Sequence, residues 1–69
     1  MSEAEFLKSV GAKVRQLRKS KRITGKVMAK LADKSKSPLY ELEAGKVNCQ
    51  ILTLYKIANA LEVDIKEFF

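Results

Sequence analysis

Residues 22–45, RITGKVMAKLADKSKSPLYELEAG, decide the fold: two short helical patterns meet across a polar turn, and a basic tract runs into them. Thr24 is a good N-cap, because its hydroxyl can accept from a first-turn backbone N–H that has no partner inside the helix. The helix behind it carries Val27, Met28, Leu31 and Ala32 as its inward residues. Residues 33–37 form the turn. Ser35 or Ser37 then caps a second short helix, since Pro38 is tolerated only in a first turn, where a missing N–H does no harm. Leu39 and Leu42 face inward, and Gly45 stands where a left-handed C-cap closes that helix after Ala44.

Toward the N-terminus, Ser2 and Glu5 spell a capping box, and Phe6, Leu7, Val10, Val14 and Leu17 recur at spacings of three and four. That is one face of a helix reaching about Ser20. Gly11 lies inside it, at a cost of ~1 kcal/mol relative to alanine. Toward the C-terminus, residues 46–50 form a loop, and Ile51, Leu54, Tyr55, Ile57, Ala58 and Leu61 give the strongest periodic signal, a helix facing the core. Asp64 with Glu67 reads as a second capping box, opening a short last helix that ends in Phe68 and Phe69. The pattern predicts an all-α chain of five helices with no strand, one domain over residues 1–69, and no repeat or linker.

Charge is segregated along the chain. Between Lys13 and Lys36 there are ten basic residues and one acid, Asp33, a local charge of +9, while the rest of the chain carries −3 of the total +6. Lysines and arginines gathered in this way displace condensed counterions from phosphates, so the expected partner is a polyanion. A membrane surface fits less well: a helix lying on one needs large apolar residues exposed opposite its charges, and so short a chain needs them inside.

Composition excludes several chemistries. With one cysteine, Cys49, and no histidine, neither an internal disulfide nor a Cys/His metal cluster can form, so no metal and no cofactor is expected. Glu41 and Glu43 are two apart on a helix and point to different faces, which disfavours a paired-carboxylate site. No glycine-rich phosphate cradle is present. The chain therefore reads as a non-enzyme. The start, MSEAEFLKSVG, lacks a signal-peptide pattern, and no apolar run approaches the ~20 residues of a bilayer span, so a reducing cytoplasm is the expected location. Sixty-nine residues leave no room for an effector-binding domain, so no small-molecule effector is expected.

Several motifs in collinear order resemble a known family: Arg15 to Arg18 (RQLR), Thr24, Met28-Ala29, Ser35, Leu39, Leu42-Glu43-Ala44-Gly45, Asn48, and the run from Thr53 to Leu61 (TLYKIANAL). From about Val10 to Phe69 the chain is similar to the phage repressor and Cro type (XRE family) helix-turn-helix domain. That family includes phage repressors, restriction-modification controller proteins and antitoxin-type autoregulators. The resemblance implies a lambda-repressor-like fold in which helices 2 and 3 form the helix-turn-helix and helix 3 enters the major groove of double-stranded DNA.

It further implies that Lys36, Ser37, Pro38, Tyr40 and Glu41 face the bases, with Lys36 donating to guanine and Glu41 accepting from cytosine. Tyr40 instead lies along a phosphate or on a thymine methyl. Thr24, Gly25, Lys26, Lys34, Ser35, Lys46 and Asn48 would contact phosphates. Arg18 would pair with Glu43 as a structural ion pair. Four positions depart from the family's habits: Gly25 stands where a phosphate-binding glutamine is common, Asp33 where the turn usually has glycine, Lys34 where valine is often found, and Glu41 brings a negative charge toward DNA.

One short recognition helix touches few base pairs, so a homodimer reading a pseudo-palindromic operator is expected, controlled through its own concentration and through autoregulation. Leu52, Tyr55, Val63, Ile65, Phe68 and Phe69 form the apolar surface expected to be shared, unless they only plug the monomer's core. Two alternatives stay open: a degenerate protein-interaction module or antitoxin-type partner binder, and charge-driven binding of RNA or unspecific nucleic acid.

Overall fold

The chain is seen in a computed structural model that describes residues 1–32, 36–48 and 50–69, with the side chains of those residues except 36–38. Among the described residues, four α-helices follow one another: α1 (Glu3–Ser20), α2 (Gly25–Leu31), α3 (Lys36–Glu43) and α4 (Ile51–Leu61), with a terminal 3-10 turn at Ile65–Phe68. Among the described residues there is no strand. No helix among the described residues is long and apolar enough to cross a membrane.

Local signals place the helix starts. Ser2 Oγ accepts from Glu5 N at 3.2 Å while Glu5 Oε1 accepts from Ser2 N at 3.1 Å, a complete capping box. Hydrogen bonding from Ser2 to the Glu5 carboxyl, through its backbone N–H first and its side chain second, holds that carboxyl below its ordinary range. Thr24 Oγ1 accepts from Val27 N at 3.2 Å and starts α2.

Three helix ends share one device. Lys46 N donates to Glu41 O and Gly45 N to Leu42 O, with Gly45 at φ +73°, so the left-handed residue turns the last carbonyls of α3 onto donors. The same pair of bonds ends α1 at Arg22 and α4 at Glu62, both left-handed at φ +58° without being glycine.

The last expected helix is a four-residue 3-10 turn rather than an α-helix. So short a segment makes few i→i+4 bonds, and tighter i→i+3 bonds serve it instead. Its cap also differs: the Asp64 side chain accepts from Lys66 N at 3.0 Å, and Glu67 N is taken by the Asp64 carbonyl.

Val10, Val14, Met28, Ala29, Ala32, Leu39, Leu42, Leu54, Ile57, Ala58, Leu61 and Phe68 form one core. Several expected inward residues lie elsewhere. On α2, Val27 and Leu31 are 46% and 58% exposed, and the buried face is Met28, Ala29 and Ala32. That face packs against both α3 and α4, with Met28 the large side chain beside the two alanines. On α4, Ile51 and Tyr55 are exposed. Phe6 is also half-exposed, its ring stacked on Phe69 with centroids 6.1 Å apart.

Candidate nucleic-acid interface

The helix pair is braced from behind by a buried ion pair. Arg18 Nε donates to Glu43 Oε2 at 2.7 Å and Nη2 to Oε1 at 3.0 Å, a two-pronged contact between the end of α1 and the end of α3. Nη1 donates to the Ile23 carbonyl at 3.0 Å, tying the loop before α2 to the same guanidinium. The bonds to Glu43 push the Arg18 pKa above its ordinary value, against the opposing effect of burial. One side chain therefore holds the entry to α2 and the exit of α3 at fixed separation.

Beside that brace in the sequence lie several exposed cations. Arg15, Lys19, Lys21, Arg22, Lys26 and Lys30 all present their side chains to solvent, from the second half of α1 through α2. Thr24, spent on capping α2, is exposed beside them. Lys46 is exposed just past Gly45. Asn48 lines a hollow of about 390 Å³ with Met1, Ser2, Glu3, Phe6 and Leu7. Thr24 and Asn48 thus stand near opposite ends of α1.

On α3, Glu41 is exposed and Tyr40 half-exposed. Tyr40 does not stand free: a β-carbon built on Gly25 would lie 2.5 Å from the Tyr40 hydroxyl oxygen and 2.6 Å from Cε1, so the phenol covers Gly25. Gly25 is buried by that ring, and its backbone is not open as a phosphate contact would require. Lys34, Ser35 and the side chains of Lys36, Ser37 and Pro38 lie outside the described residues, as does Cys49. The backbone of α3 begins at Lys36, which puts Pro38 in its first turn.

Sequence reasoning counted Arg15 in the basic tract and in the RQLR motif but gave it no contact role. It lines a shallow hollow of about 180 Å³ with Tyr40, Glu43 and Ala44.

Of the expected shared surface, Leu52, Tyr55 and Phe69 are exposed, by 65%, 55% and 53%. Val63 and Ile65 are half-buried against the core, and Phe68 is fully buried in it. Phe68 therefore belongs to the monomer's core and not to a surface. The terminal turn folds it inward while Phe69 stays out on Phe6.

Among the described residues, no three Cys, Asp or Glu side chains come together in a way that could hold a metal ion.

The helix-turn-helix family pattern, HTH_3, matches residues 14–68, and the chain belongs to that family. Among solved structures it is similar to the restriction-modification controller protein C.AhdI from Aeromonas hydrophila, at 28% identity and a TM-score of 0.89, covering 91% of this chain and 96% of that one. It is also similar to an HTH_3 family transcriptional regulator from Vibrio cholerae, at 32% identity and a TM-score of 0.91 over 99% of this chain; there it spans only 38% of the other chain. The clp gene regulator ClgR from Corynebacterium glutamicum matches at 25% identity and a TM-score of 0.89, covering 91% of this chain and 67% of that one. No curated protein matches the sequence.

Proposed function

We propose that this helix-turn-helix protein is a sequence-specific DNA-binding transcriptional regulator, not an enzyme, that acts as a homodimer on a pseudo-palindromic operator and regulates its own synthesis. The observation that carries the proposal is the run of exposed cations from Arg15 to Lys30, carried on the second half of α1 and on α2, beside the α3 whose end the Arg18–Glu43 contact ties to α1. Structural likeness to proteins described as a controller and as transcriptional regulators supports it.

In this reading α3 enters the major groove. Lys36, Ser37, Pro38 and Glu41 read base edges, Lys36 at a guanine and Glu41 at a cytosine. Thr24, Lys26, Lys34, Ser35, Lys46 and Asn48, together with Arg15, hold phosphates and set the register without reading sequence. The exposed apolar residues Leu52, Tyr55 and Phe69, edged by Val63 and Ile65, meet a second copy. Two copies then address half-sites about one helical turn, ~34 Å, apart.

The test is titration of duplexes from the chain's own promoter region, at two salt concentrations, against an unrelated duplex of equal length. Preference for one promoter segment, with affinity falling steeply as salt rises, is the expected result. Equal affinity for every duplex would leave only charge-driven binding, and no binding, together with a partner protein captured after nuclease treatment, would make this an interaction module. Sedimentation of the chain alone and of Tyr55→Glu separates dimer from monomer.

A further inference from the structure

The contact between Gly25 and Tyr40 joins the first residue of α2 to the middle of α3. With no β-carbon at position 25, the edge of the phenol settles on the glycine backbone; a built β-carbon would come within 2.5–2.7 Å of three atoms at the tip of the ring. Real β-carbons do not approach other atoms so closely, so any side chain at 25 must push the phenol out of its seat. On its other flank α3 is held by Leu39 and Leu42, both buried in the core. Those two leucines fix how deep α3 lies, and the Arg18–Glu43 bonds hold its C-terminal end. On the flank away from them, Tyr40 is the residue that reaches back to α2.

We infer that Tyr40 is a positioning residue and Gly25 its seat: the phenol clamped on the start of α2 sets the rotation of α3, and so the direction in which the base-reading side chains leave it. The inference rests on the DNA-binding reading above and narrows it, because Tyr40 then acts through the other residues of α3 and not on a base or phosphate. The glycine that looked like a lost phosphate anchor becomes a requirement of the tyrosine opposite. Replacing Gly25 by a larger polar residue would not add an anchor; it would turn the reading helix.

The probe is a duplex selected from random-sequence DNA by the intact, unsubstituted chain, compared with a scrambled duplex of the same composition. Tyr40→Phe keeps the ring in its seat, and its affinity for the selected duplex is expected to stay within about twofold. Tyr40→Ala and Gly25→Ala should each lose roughly tenfold on the selected duplex, the size of one misplaced base contact. On the scrambled duplex, where charge sets the affinity, both should stay within about twofold. The double variant should lose no more than the worse single one, because both changes empty the same contact. A loss in Tyr40→Phe as large as in Tyr40→Ala would mean that the hydroxyl itself touches DNA and would overturn the proposal. So would equal losses on both duplexes, or additive losses in the double variant.

A second measurement needs no DNA. The ring current of Tyr40 should displace the Gly25 α-proton resonances in the NMR spectrum of the unsubstituted chain, and the displacement should vanish in Tyr40→Ala. Its absence in the unsubstituted chain removes the seat. If instead the shift is present but no duplex is preferred over another, the DNA reading fails and takes the positioning role with it, leaving only a packing contact.

Discussion

Gly11 in α1 lies directly against the backbone of Glu43 at the end of α3: a β-carbon on Gly11 would stand 2.5 Å from the Glu43 carbonyl oxygen and 2.8 Å from its carbonyl carbon. The obstacle is backbone, capped and held by the Gly45 turn, and it cannot swing aside as a side chain could. Gly11→Ala therefore reverses the usual order of helix propensity. Alanine should stabilise an isolated helix by ~1 kcal/mol, yet forcing α1 and α3 apart costs more, and a net loss of about 1–3 kcal/mol is expected in urea unfolding. A more stable Gly11→Ala would show that the two helices do not touch.

The Arg18–Glu43 pair is a contact whose halves matter more than the whole. Arg18→Ala or Glu43→Ala leaves one charge buried without its partner, at a cost of about 3–5 kcal/mol. A chain of this size has only about 3–10 kcal/mol of stability in all, so either variant should give up a large part of it and unfold at a much lower urea concentration. The double variant Arg18→Met with Glu43→Leu removes both charges and should be the more stable by urea melt. Equal destabilisation by all three would mean that the pair contributes only through its shape.

Glu62 at φ +58° ends α4 in a conformation that favours glycine, and it brings a negative charge to the end of a helix where a positive one is preferred. Glu62→Gly relieves both effects and should raise stability by roughly 1 kcal/mol. The thermal midpoint should rise accordingly, and an unchanged or lower midpoint would show that the left-handed backbone at Glu62 carries no strain.

The capping box at the start of α1 should make stability depend on pH. Because its bonds to Ser2 hold the folded Glu5 pKa below the unfolded value of about 4.3, this carboxylate contributes stability that is fully present above that value. The contribution disappears as pH falls through the lower, folded value. Glu5→Gln keeps an acceptor for the Ser2 N–H but cannot titrate. Melting curves from pH 6 downward should therefore converge as the acid limit is approached, and a constant gap between the two proteins would remove the box as the cause.

Lys46 stands in the loop after α3, where the proposed contact is to a phosphate alone. Lys46→Ala should weaken every duplex alike and reduce the slope of log affinity against log salt by about one. Lys36→Ala should instead relax discrimination at a single base pair. A Lys46→Ala protein that loses selectivity would place Lys46 at a base edge.

The amino-acid sequence alone determined where the helices begin and end. Ser2 with Glu5, Thr24, and Gly45 act on backbone groups two to four residues away, so their effects are present in the order of the letters. The Arg18–Glu43 pair, 25 residues apart, was legible only through resemblance, because nothing local links the two. What the tertiary structure decided is which side of each helix is covered. Periodicity marks an apolar stripe without saying what lies opposite it, so Val27, Leu31, Ile51 and Tyr55 looked inward on α2 and α4 but face solvent, while Ala29 is buried. Gly11 and Gly25 show the same limit from the other side. Along the chain each is a weak helix former, and only the carbonyl of Glu43 and the ring of Tyr40, brought up by folding, make a missing side chain necessary.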